Sequence, residues 1–69
     1  MGKVYKKVEL VGTSEEGLEA AIQAALAGAR KTLRHLDRFV GKEIRGTIGE
    51  AGVKEYQVVL EVGFRLEET

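Results

Sequence analysis

The chain contains no cysteine, no tryptophan and a single histidine, and it carries no net charge. Without cysteine no disulfide can form, and with His35 as the lone imidazole a structural zinc site of the usual Cys/His kind has almost nothing to be built from. The 11 basic and 11 acidic residues balance, so nothing draws the chain generally to nucleic acid or to an anionic membrane. One basic group, Arg30, Lys31, Arg34, His35 and Arg38, lacks the aromatic platforms that accompany nucleic-acid-binding surfaces. No apolar run approaches the roughly 20 residues of a membrane helix, and the N-terminus shows no signal-peptide pattern. A cytoplasmic protein is expected. Catalytic parts are equally scarce: one aspartate, Asp37, one histidine, and glutamates alternating along a strand supply neither a nucleophile nor an acid–base pair. No enzyme is expected.

What is present is dominated by one long alternating segment, from Val53 to Leu66. Its even positions Tyr56, Val58, Leu60, Val62, Phe64 and Leu66 are apolar or aromatic. Its odd positions Val53, Glu55, Gln57, Val59, Glu61, Gly63 and Arg65 are mostly polar. Period two marks a strand with one face in a core and the other facing elsewhere. The polar face sets an amide and a guanidinium among carboxylates, and a partner subunit or a ligand is expected there.

The rest of the 69 residues reads as one domain, 1–69, of order β-α-β-β. A first strand runs from Lys3 to Val11 and ends at Gly12. Val4, Val8 and Leu10 share one face, which Lys6 interrupts in the manner of an edge strand. Thr13 with Glu16 fits a capping box, with Ser14 as a rival N-cap, and predicts a helix to about Leu36. Leu18, Ile22, Ala25, Leu26, Ala29, Leu33 and Leu36 form its stripe. Acids crowd its first turns and bases its last, with His35 as a partner of the C-terminal dipole. A second strand runs from Phe39 to Ile48. Gly41 and Gly46 within it predict a bulge, a bend or a close backbone approach. Gly49-Glu50-Ala51-Gly52 is the hairpin to the last strand. So short a chain with no disulfide needs another source of stability, and oligomerisation is the common one.

Taken in order, several segments resemble the dodecins, small bacterial and archaeal flavin-binding proteins. They are Val4-Tyr5-Lys6, Gly12-Thr13-Ser14, Arg30-Lys31-Thr32-Leu33, Arg45-Gly46, Tyr56-Gln57-Val58 and Val62-Gly63-Phe64-Arg65-Leu66. The resemblance implies an α+β fold, a βαββ protomer whose three-stranded antiparallel sheet wraps around one long helix. It also implies a hollow homododecamer that stores FMN or a related flavin without turning over a substrate. In that family flavins bind in pairs near two-fold axes, stacked on a tryptophan at the start of the second strand. A glutamine of the third strand bonds the polar edge of the ring, and an arginine of the second strand lies nearby. Carried onto this sequence, these are Gln57 and Arg45. Some members also hold coenzyme A, which the resemblance leaves open here.

The sequence departs from the family where the tryptophan is expected. Family members read Trp, an apolar residue, Glu and Val where this chain reads Arg38-Phe39-Val40-Gly41. Arg38 can still lie flat on an aromatic ring. The candidate flavin residues are therefore Arg38, Arg45 and Gln57, with flavin binding expected to be weakened. The alternative is a self-assembling shell that has lost its flavin and serves as a scaffold. Arg65, with Glu61 four residues away on the same face, is expected in a charge network between subunits.

Overall fold

The computed structural model describes residues 2–66. Its elements are β1 (Tyr5–Ser14), α1 (Leu18–Arg30), β2 (Leu36–Gly49) and β3 (Gly52–Arg65). They form a three-stranded antiparallel sheet of order β1-β3-β2 with one helix laid against it. The strand with the cleanest alternation takes the centre, where both of its edges are hydrogen-bonded. Its even positions Val58, Leu60 and Val62 are buried, the last two at 1% exposure. β1 is an edge strand, and its Lys6 lies opposite Phe64.

The helix is shorter than its stripe suggests, 13 residues or about 20 Å at 1.5 Å per residue. At its start, Gly12, Thr13 and Ser14 continue β1, opposite Val58, Gln57 and Tyr56. The Ser14 hydroxyl accepts the Glu16 N–H at 3.0 Å, a local bond that turns the chain rather than capping a helix. The helix then starts after Gly17 with no side-chain cap. At its end, the Lys31 and Thr32 N–H groups donate to the carbonyls of Gly28 and Ala29, closing a tightened last turn. His35 follows with a φ of 61°, a left-handed residue in the link to β2 and not a helix terminus. Leu36 is taken into β2 opposite Phe64. Strand pairing thus overrides the helical spacing of Leu36, while the Leu33 N–H still donates to the Ala29 carbonyl.

The seam between helix and sheet is built from small residues. Ala21, Ala25 and Ala29 are its buried positions, with Ile22 and Leu26 packed partly against the core. Their match on the sheet is Gly12, where an added Cβ would lie 2.8 Å from the Ala25 Cβ and press on the Ala21 carbonyl. Gly12 therefore sets the approach of helix to strand, and it does so from inside β1.

The helix contacts β1 and β3 far more than β2. On β2, Phe39, Ile44 and Ile48 stay exposed, the last two at 72% and 87%. Register shifts at Leu36/Arg38, Gly41/Glu43 and Thr47/Ile48 bend this strand, as the glycines foretold at the middle one. Gly46 supplies the close approach: a Cβ there would sit 2.7 Å from the Glu55 carbonyl oxygen. β1 ends opposite Tyr56, so the remainder of β2 and β3 projects as a two-stranded ribbon. The protomer is accordingly a slab of 55 × 20 × 13 Å.

Candidate functional site on the open sheet face

The sheet face turned away from α1 carries every residue singled out for a ligand. The register sets it out in rows. Lys7, Gly63 and Arg38 form one row across the three strands, followed by Glu9, Glu61 and Val40, then Val11, Val59 and Glu43, then Thr13, Gln57 and Arg45. Gln57 and Arg45 are thus direct cross-strand partners. Arg45 donates to the Glu43 carboxylate at 2.7 Å, so its charge is already balanced on its own strand. That pair is exposed on both sides, which limits its worth to about 0–1 kcal/mol.

Arg38 lies at the other end of this face. It sits opposite Gly63, six residues along β3 from Gln57, or about 20 Å at 3.3 Å per residue. One protomer therefore brings Arg45 and Gln57 together and holds Arg38 apart from them. What Arg38 does meet is Tyr5. Its guanidinium carbon lies 5.8 Å from the centroid of the Tyr5 ring, within the range of a cation–π contact. The Arg38 side chain passes over Gly63, where an added Cβ would lie 3.6 Å from its Cγ, in ordinary contact. Asp37 flanks the guanidinium at 3.7 Å.

These residues line a groove of about 380 Å³, walled by Tyr5, Lys7, Arg38, Val40 and Glu61 with Gly63 among them. Lys7 bridges to Glu61 at 3.3 Å across the β1–β3 pair. Glu61 therefore finds its partner on the neighbouring strand, and within the protomer it does not pair with Arg65. Arg65 lies beside the link, lining a small hollow with His35, Leu36 and Asp37. Sequence reasoning gave Tyr5 no role. Its signal was parity: Tyr5 is an odd position of β1, on the same face as Gly63 and Arg38. Among the described residues, no group of three or more His, Cys, Asp and Glu side chains could hold a metal ion. No helix there is long and apolar enough to cross a membrane.

A sequence profile of the dodecin family matches residues 4–67. A dodecin of Thermus thermophilus is 94% identical over 69 residues, with both chains covered completely. The chain belongs to the dodecin family. Two solved structures agree. One is a variant of T. thermophilus dodecin with phenylalanine in place of a tryptophan, 94% identical, TM-score 0.93, covering 97% of this chain and all of the other. The second is the dodecin of Streptomyces davaonensis, 38% identical, TM-score 0.90, covering 99% of this chain and all of that one. Dodecins are flavin-storage proteins without catalytic activity.

Proposed function

We propose that this dodecin binds FMN or a related flavin on the open sheet face of a hollow homododecamer, as a cytoplasmic store, and that it binds more weakly than its relatives because Arg38 stands where they stack the ring on tryptophan. Family membership carries the flavin and the shell. The observation that carries the altered site is the Arg38–Tyr5 contact across Gly63. The T. thermophilus relative has a tryptophan, and this chain has none.

The residues present suit a flavin. A groove of about 380 Å³ falls within the roughly 300–1,000 Å³ of small-molecule sites. Gly63 leaves its floor flat, and a planar guanidinium beside an aromatic ring offers a stacking surface. The polar edge of the ring needs a donor and acceptor, which Gln57 supplies, with Arg45 opposite it. The 20 Å between Arg38 and Gln57 argues for a site shared by two subunits. Their rows, at residues 63 and 57 of β3, lie equally far on either side of Leu60. A two-fold axis at that level would bring the Arg38 end of one subunit to the Gln57 end of another. Flavin bound there supplies a planar ring to be sequestered. The protein's residues hold it, orient its polar edge and exclude water.

Coenzyme A remains a second candidate ligand by family resemblance, which puts it near the three-fold contacts of the shell. The competing role is a shell that no longer binds flavin, favoured by the lost indole alone. Quenching of flavin fluorescence on titration separates the two. Saturable quenching supports storage. A flat titration by an intact shell contradicts it.

A further inference from the structure

Arg38 changes the sign of the surface on which a flavin would stack. An indole is neutral and electron-rich, so it stacks best on the electron-poor ring of oxidised flavin. A guanidinium is planar, delocalised and always charged, and it is attracted to electron-rich and anionic rings. Charges of both signs surround it. Lys7 lines the same groove, and Arg65 is the cross-strand partner of Tyr5. Against these three cations stand Asp37, 3.7 Å from Arg38, and Glu61, 3.3 Å from Lys7. Glu9, the cross-strand partner of Glu61 on this face, is a third carboxylate, so the charges of this end balance and Arg38 itself supplies the cation that meets the ring. The Tyr5 ring flanks the guanidinium, and the Arg38 side chain, 73% exposed, stays open to an approaching ring.

On the reading that flavin binds on this face, we propose that Arg38 makes the site favour reduced, anionic flavin over the oxidised, neutral ring, the reverse of a tryptophan platform. The oxidised ring takes up two electrons and one proton to become that anion. In the test dithionite supplies the electrons and solvent the proton, and the protein contributes only charge and position. Exclusion of water between subunits strengthens the attraction, because a unit charge acts more strongly at low dielectric.

The test is a pair of anaerobic FMN titrations at mildly alkaline pH, one with oxidised and one with dithionite-reduced FMN, on the assembled protein and on Arg38→Trp and Arg38→Gln. Ultrafiltration reads the bound fraction for both forms. The expected result is a ratio of oxidised to reduced dissociation constants at least tenfold higher in this protein than in Arg38→Trp, with the preference also lost in Arg38→Gln. For a two-electron couple a tenfold change is about 30 mV, so the potential of bound FMN should lie at least that much higher than in Arg38→Trp. Binding of both forms with the same ratio in all three proteins overturns the redox preference and leaves the storage reading intact. Failure of both forms to bind, with the shell assembled, overturns both. Arg38→Gln keeps an uncharged planar group at this position, so it reads the charge separately from any loss of shape.

Discussion

Arg38 passes over a neighbour with no side chain. It sits on an edge strand and reaches across Gly63 of the central strand to the Tyr5 ring on the far edge. Restoring an indole in Arg38→Trp replaces an exposed guanidinium with a stacking surface. A stacked aromatic pair is worth about 0.5–1.5 kcal/mol beyond its buried area, and 1.4 kcal/mol is tenfold in affinity. Affinity for oxidised FMN should therefore rise at least tenfold, read as the midpoint of fluorescence quenching, with the assembly unchanged. No gain would mean that Val40 and Gly41 have reshaped the groove. A second residue tests the core. Gly12→Val should destabilise by about 1–3 kcal/mol through overpacking, because even a Cβ would crowd Ala25 and the Ala21 carbonyl. Calorimetry showing an unchanged melting temperature would contradict the close approach of helix to β1. The face of Gln57 was legible from parity alone; that Arg45 and Arg38 share it was not, since an odd and an even position of β2 meet on one face only through its bulge. Their separation along that face was not legible either, because it depends on a register that includes a bulge between Gly41 and Glu43. Tyr5 was missed for a related reason. An exposed tyrosine on an edge strand acquires meaning only once Arg38 is seen to cross the sheet.

The elements show where periodicity is a safe guide and where it is not. β3 was legible almost to the residue, since a strand with one buried face must alternate. The helix was over-extended at both ends. Thr13 and Ser14 carry a capping signature but belong to β1 and its turn, while Leu33 and Leu36 keep helical spacing after the chain has left the helix. A local pattern cannot reveal that Leu36 is claimed by Phe64 across the sheet. The difference can be measured. Thirteen helical residues of 69 predict far-UV circular dichroism of about one-fifth helix, and a value near one-third would restore the longer helix. The hairpin offers its own test. Gly52 has a φ of 124°, a conformation nearly closed to residues with a Cβ. Gly52→Ala should cost about 1–3 kcal/mol, seen as a lower denaturation midpoint at unchanged slope. A neutral result would show that the turn relaxes.

At the scale of the molecule, the protomer is poorly equipped to stand alone. Among the described residues the buried apolar ones are three alanines, two valines and a leucine, while Phe39, Val40, Ile44, Ile48 and Val53 remain exposed. Its hairpin ribbon extends beyond both β1 and the helix, and an isolated two-stranded ribbon is marginal in water. A slab of 55 × 20 × 13 Å with one polar and one half-covered face suits the wall of a shell better than a free monomer. Apparent stability should accordingly rise with protein concentration, checked by melting at several dilutions. Native mass spectrometry during a titration with FMN reads shell and ligand together, and so tests the central claim most directly. The expected species is about 90 kDa, twelve chains of 7.5 kDa, gaining flavin masses as FMN is added, in keeping with stabilisation by mass action. A folded 7.5 kDa monomer, or a full shell that takes up no flavin at any concentration, would contradict it.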